Sequence, residues 1–138
     1  MTTAVSDLDV LLATMEPVLN PGVFVFTSVA TMPDLPAENV IACMQEAEGL
    51  SLIVSEADAI RLGLPVMFRA AWITLSVHSD LQAVGLTAAF AAALGAEGIS
   101  CNVVAGAFHD HIFVQAGRAQ DAMAALVRLQ QAALAKTW

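Results

Sequence analysis

The spacing of apolar residues along the chain predicts alternating helices and strands. After Ser6-Asp7-Leu8-Asp9, a capping-box-like start with aspartate where glutamate is usual, apolar residues recur at helical spacing as far as Met15. Pro17 and Asn20-Pro21-Gly22 are expected to end this helix and to form a turn. The run 23–29 that follows is rich in β-branched and aromatic residues, which predicts a strand.

The middle of the chain fits either a helix or a β-hairpin. The hairpin is favoured because Glu46-Ala47-Glu48-Gly49 supplies a turn that ends in glycine, and residues 50–54 form a convincing strand. A short helix over 56–62 is then expected, with Gly63 as its C-terminal cap.

The second half repeats this alternation more fully. The expected elements are an extended run over 66–78, a helix over 84–97, a strand over 99–106, a turn over 107–110, a strand over 111–115 and a helix over 119–135.

A weak internal repeat links the two halves. LSLIVSEADAIRL aligns with HIFVQAGRAQDAMAAL as a strand that leads into a helix after a short link. The fold class predicted is therefore α+β, with two tandem ferredoxin-like units that have antiparallel sheets, the first of them degenerate. Each unit lacks a strand of its own after its second helix, so strands are expected to be shared between units. The expected division is 1–65, which includes the N-terminal helix, and 66–138.

Composition narrows the class of protein. Apolar residues make up 58% of the chain, which predicts burial against a second subunit and so a homodimer. The apolar run Leu81–Ala96 is too short to span a membrane. The acidic start argues against a signal peptide, and two cysteines imply no disulfide framework, so a cytoplasmic location is expected. A net charge of −8 with five scattered basic residues argues against nucleic acid and against an anionic membrane surface.

The segment AGAFHDHIFVQ carries His109 and His111 on either side of Asp110. In a ferredoxin-like sheet His111 is expected beside His78, on the face away from the helices and together with Trp72 and Phe113. These three histidines would suit a Zn²⁺ or Ni²⁺ site. The other interpretation, which we favour because no known metal-ligand spacing is matched, is the polar tip of a hairpin.

Four segments together resemble a family of small bacterial proteins built from tandem ACT-like domains. They are MEPVLNPGVFVF, EAEGLSLIVSEADAIRLGL, WITLSVHSDLQAVGLTAAFAAAL and GISCNVVAGAFHDHIFV, and they cover nearly the whole chain. The order of segments is more distantly similar to the ACT halves of CASTOR-type arginine sensors. The resemblance implies that the protein binds an amino acid or a similar metabolite between domains and regulates a separate partner.

The resemblance also implies where a ligand would bind. ACT ligands usually contact the loop between the first strand and the first helix, which here contains Ser79, Asp80, Leu81, Val84, Gly85 and Leu86. Free N–H groups at a helix start suit a carboxylate, and Asp80 would hold an amine. The alternative is that Ser79 or Asp80 caps the helix and Gly85 eases packing. Asn102, with Val103 beside it, would supply a ligand-binding amide or would satisfy neighbouring backbone.

The function predicted is that of a small-molecule sensor, not an enzyme, with no cofactor and an unknown regulated partner. The rival from another class is a small metal-dependent enzyme that uses His78, His109 and His111. A third hypothesis is that the protein is a structural partner subunit that has lost ligand binding.

Overall fold

The computed structural model describes residues 7–76 and 85–137. The elements in this part of the chain are α1 (Asp7–Thr14), β1 (Pro17–Val29), β2 (Val40–Glu46), β3 (Gly49–Ser55), α2 (Glu56–Leu62), β4 (Phe68–Leu75), α3 (Leu86–Ala96), β5 (Asn102–Ala105), β6 (Asp110–Gln115) and α4 (Ala119–Thr137). A short 3-10 turn at Ala37–Asn39 precedes β2, and a second one at Ala116–Arg118 precedes α4.

The strands in the described ranges form one antiparallel sheet in the order β2-β3-β1-β4-β6-β5. The four strands β2-β3-β1-β4 have the order of one ferredoxin-like sheet, and β1-β4-β6-β5 have the order of a second. β1 and β4 therefore belong to both units, which confirms the prediction of shared strands. The first unit is degenerate as predicted, since a 3-10 turn stands where the second unit has α3. The boundary between residues 65 and 66 stays a prediction.

The expected turn at Asn20-Pro21-Gly22 is wrong, because β1 continues through these residues as one strand. A β-bulge in β1 accommodates these residues. Asn20 pairs with Trp72 and Phe24 pairs with Ala70, so an advance of four residues along β1 lies opposite an advance of only two along β4. Proline cannot donate to a sheet ladder and is tolerated at such a bulge. Beside the bulge, the Asn20 side-chain amide donates to the Trp72 carbonyl at 3.2 Å, which adds a second link between β1 and β4.

The hairpin and the short helix of the first unit are confirmed. β2 and β3 pair on either side of the turn, and α2 runs over the expected residues with Ser55 as its N-cap and Gly63 as its C-cap. Two elements of the second unit start later than expected. α3 begins at Leu86, and β5 begins at Asn102 because the Ile99 N–H still donates to the Leu94 carbonyl at the helix end.

The described helices all pack on one face of the sheet. Val25, Leu52 and Val54 contact Ala59 of α2. In the second unit the apolar residues of β4 and β6 that point the same way pack against α1, α3 and α4. The described helices include none that is both long enough and apolar enough to cross a membrane.

The opposite face, which we call the concave face, carries Phe24, Phe26, Phe68, Trp72 and Phe113. Their rings pack edge to face or stacked, with centroids 5.2 to 5.9 Å apart. The prediction that Trp72 and Phe113 share the face away from the helices is confirmed.

The sheet is strongly curled. Ala42 on edge strand β2 and Val104 on edge strand β5 belong to the same apolar cluster as these rings. Both residues also line one cavity, so the twist of the sheet brings its two opposite edges around a shared hollow.

Candidate functional site

The start of α3 is the described part of the loop to which the family resemblance assigns the ligand. Ser79, Asp80, Leu81 and Val84 lie outside the described residues, as does His78. The residue at the N-cap position of α3 is Gly85, with φ of +100°. The alternative in which Ser79 or Asp80 caps the helix stays a prediction, because both residues lie outside the described part of the chain. Glycine has no side chain to accept from the first-turn N–H groups, which carry the positive end of the helix dipole.

Gly85 also packs closely against α1. A Cβ atom at this position would lie 3.3 Å from Cδ2 of Leu8. Leu86, the first residue of the helix, is only 3% exposed. At this helix start the backbone is therefore the part of the chain suited to a ligand, and α1 is its neighbour.

Asn102 and Val103 point to opposite faces of the sheet. Asn102 pairs with Phe113 and lies on the concave side, whereas Val103 packs in the core beneath the helices. The Asn102 amide donates to the Phe113 carbonyl at 3.2 Å. The Asn102 side chain therefore satisfies a backbone carbonyl of the neighbouring strand β6. The structure does not bring the Asn102 side chain and the start of α3 onto one face.

The HDH segment forms one side of a tight hairpin between β5 and β6. The Gly106 N–H donates to the His109 carbonyl at 2.9 Å and closes the turn. His111 points to the concave side, where the Trp72 indole N–H donates to its Nδ1 at 3.1 Å. An indole nitrogen is a donor only, so Nδ1 of His111 must be unprotonated.

A hydrogen-bond chain links three strands at this end of the concave face. The Asn20 amide on β1 donates to Thr74 Oγ1 on β4 at 2.9 Å, and that hydroxyl lies 3.1 Å from Nδ1 of His111 on β6. Burial lowers the pKa of His111, the neighbouring His109 lowers it further, and Asp110 opposes the change. The imidazole is thus held neutral, with one nitrogen committed as an acceptor.

The alternative hypothesis is a metal site formed by the three histidines. Within residues 7–76 and 85–137 no three His, Cys, Asp or Glu side chains are grouped so that they would hold a metal ion. Nδ1 of His111 is engaged with Trp72 and Thr74. Cys101 is half-buried, and burial raises the pKa of its thiol, which disfavours the thiolate that a ligand or nucleophile requires.

The sequence interpretation missed a cavity of about 410 Å³ at the β2-β3 end of the concave face. Its walls are mostly apolar and include Phe26, Ala42, Ile53, Phe68 and Val104. The run FVF at 24–26 held the one local signal, because apolar residues at consecutive positions indicate a strand that buries both faces. The closure of the hollow by two distant edge strands has no local signal.

Comparison with known protein families matches two models, each of an ACT domain. The first covers residues 3–71 and the second covers residues 68–128. No curated protein matches the chain.

Solved structures show the same architecture. A Vibrio cholerae protein of unknown function, described as a possible transport protein, is 44% identical, with a TM-score of 0.79 over 89% of this chain and 95% of its own. An Agrobacterium tumefaciens protein is 15% identical, with a TM-score of 0.62 over 84% and 89%. The ligand-free regulatory subunit of aspartate kinase from Thermus thermophilus is 14% identical, with a TM-score of 0.58 over 82% and 95%. Two family matches in tandem, together with two ferredoxin-like units joined in one sheet, establish that this chain belongs to the ACT domain family.

Proposed function

We propose that the protein is an amino-acid sensor that binds its ligand at the start of α3 and acts through a separate partner protein. Membership of the ACT family supports a regulatory, non-catalytic role in small-molecule binding. The observation that carries the location is the glycine cap of α3, which leaves the first-turn N–H groups without a capping side chain from that residue. A ligand carboxylate would accept from these groups.

The ligand would contact α1 as well as α3. Leu8 packs on Gly85, and Gln130 of α4 donates from Nε2 to the Ala13 carbonyl of α1 at 3.2 Å. A ligand that occupied this helix start would therefore press on α1 and, through it, on α4. We infer that this pair of helices presents the ligand-dependent surface to the regulated protein.

The active form proposed is a cytoplasmic homodimer. The apolar content of 58% supports it, as do exposed apolar side chains outside the cavity lining such as Val18, Met32 and Phe108. ACT ligands usually lie between domains, so the second subunit would complete the site.

A thermal-shift screen of the tag-free protein against all amino acids tests this function. A ligand at about 100 times its Kd stabilises the folded state by about 2.7 kcal/mol, so one amino acid should raise Tm by several degrees. Asp80→Asn should weaken that ligand at least about tenfold, since the carboxylate of Asp80 would hold the ligand amine and a lost charged hydrogen bond costs about 1.5–3 kcal/mol.

The matched control is Asp34→Asn, which removes an exposed carboxylate in the loop between β1 and β2 and should leave affinity unchanged. The proposal fails if no amino acid shifts Tm, or if Asp80→Asn and Asp34→Asn bind the ligand equally well.

A further inference from the structure

The cavity on the concave face has the dimensions of a ligand site. Its volume of about 410 Å³ falls within the range of about 300–1,000 Å³ that small-molecule pockets occupy. It lies on the side of the sheet away from α3, so it is separate from the amino-acid site proposed above. Phe26 and Phe68, whose rings are 5.4 Å apart at 89°, form a rigid aromatic wall.

Two methionines extend this cavity to the solvent. Met44 on β2 is 66% exposed, and Met67 just before β4 is 72% exposed, although both line the cavity. Methionine is flexible and polarisable, and it is often found where a surface adapts to an apolar ligand. An aromatic wall with exposed methionines beside it is therefore suited to a flat apolar molecule.

The charges around the cavity select among such molecules. Glu46 is the one charged side chain among the described lining residues, and Ser51 donates to only one of its two carboxylate oxygens. Basic side chains lie elsewhere: each of the five in the chain is paired with a carboxylate outside the cavity lining. A ligand carboxylate would therefore meet a like charge and no cation, whereas the amine of a ligand whose ring fills the cavity would lie near the exposed Glu46 carboxylate at its rim.

From these observations we infer that the concave cavity binds an apolar, aromatic amine that carries no acid group. Amino acids are excluded from this class because of their carboxylate, so the cavity and the start of α3 take different ligands. The net charge of −8 also favours an amine over an acid, since the electrostatic field of the whole chain repels anions.

The test compares two fluorescent probes of similar shape and opposite charge, 1-naphthylmethylamine and 1-naphthylacetate, titrated into the full chain. The amine should bind at least about fivefold more tightly, which corresponds to about 1 kcal/mol for a partly solvated ion pair. Glu46→Gln keeps the side-chain shape and the acceptor for Ser51, and it should bring the two affinities close to equality.

A matched pair of exposed apolar residues locates the binding. Met67→Ser should weaken the amine about three- to tenfold by removing a cavity wall. Ile60→Ser, on α2 and outside the cavity lining, removes an apolar side chain of similar exposure, 74% against 72%, and should have no effect.

Three results would overturn the inference: no binding of the amine, equal affinity for both probes in the unaltered protein, or equal affinity of the Met67→Ser and Ile60→Ser variants for the amine. Sedimentation velocity at the same concentration distinguishes occupation by a second copy of the chain. If Met67→Ser converts a dimer to a monomer and only that monomer binds the amine, the cavity is a subunit interface and the inference is wrong.

Discussion

Substitution of Phe113 tests whether the concave face forms a packed core that does not depend on the helices. Phe113 is fully buried, although the described helices lie on the opposite face of the sheet. The burial comes from neighbouring rings: Phe26 at 5.4 Å and 75°, and Trp72 at 5.9 Å and 18°. The Phe113→Ala variant should therefore lose about 3–5 kcal/mol of unfolding free energy, the cost of removing a core phenylalanine.

A second variant separates ring contacts from burial. Phe113→Leu keeps an apolar side chain but loses two aromatic pairs, each worth about 0.5–1.5 kcal/mol beyond area, so it should cost about 1–3 kcal/mol. Phe90→Leu on α3 is the matched control, because Phe90 is equally buried and takes part in no aromatic ring pair within the described residues. That exchange should cost less than about 1.5 kcal/mol.

Urea denaturation followed by far-ultraviolet circular dichroism is the appropriate assay, since Trp72 fluorescence would change with the substitution itself. All variants need the same protein concentration, because self-association would add to apparent stability. A cost below about 2 kcal/mol for Phe113→Ala would show that this face is not a packed core. Equal costs for Phe113→Leu and Phe90→Leu would show that the ring geometry contributes nothing.

Three further predictions follow from local structure. Because burial holds the pKa of His111 below its ordinary value of 6.5, the folded protein binds fewer protons than the unfolded chain, and unfolding free energy should fall as pH drops below about 6.5. His111→Gln should flatten that part of the stability curve, and an unchanged slope would contradict this origin. Gly85→Ala and Gly63→Ala should each destabilise the protein by at least about 1 kcal/mol, because both glycines have positive φ. Gly85→Ala should cost more, because only there would the new Cβ lie against Leu8; equal losses of unfolding free energy would contradict that contact. Fragments 1–65 and 66–138 should each fail to melt cooperatively and should regain structure when mixed, since each lacks a strand that the other supplies; a cooperative melt of either alone would refute this.

Local signals explain what the sequence could predict of the fold. The β2-β3 hairpin and α2 have their turn and cap residues at the required positions, so neighbouring residues alone were sufficient. β1 was cut short because Asn20-Pro21-Gly22 is a strong turn signal in isolation. Pairing with β4 overrides that signal, and the contacts that do so lie some 50 residues away along the chain.

The two candidate sites also differ in whether neighbouring residues in the sequence could indicate them. The loop before α3 could be named as a candidate ligand site because a family resemblance attaches to consecutive residues, although the helix was expected to begin at residue 84 and begins at Leu86. The cavity was missed because its walls come from five strands, including Ala42 of β2 and Val104 of β5 at opposite edges of the sheet. Periodicity indicates which face a residue takes, but it does not show how far a sheet curls.

The two proposed sites can be tested independently because the sheet separates them. Along β4, Ile73 and Leu75 face the helices, whereas Trp72 and Thr74 face the concave side with His111. A substitution at the cavity therefore need not touch the α3 side. Both sites nevertheless rest on β1 and β4, the strands that the two units share. Parallel loss of amino-acid and amine binding would consequently indicate damage to the shared strands, and loss of only one would identify a ligand contact.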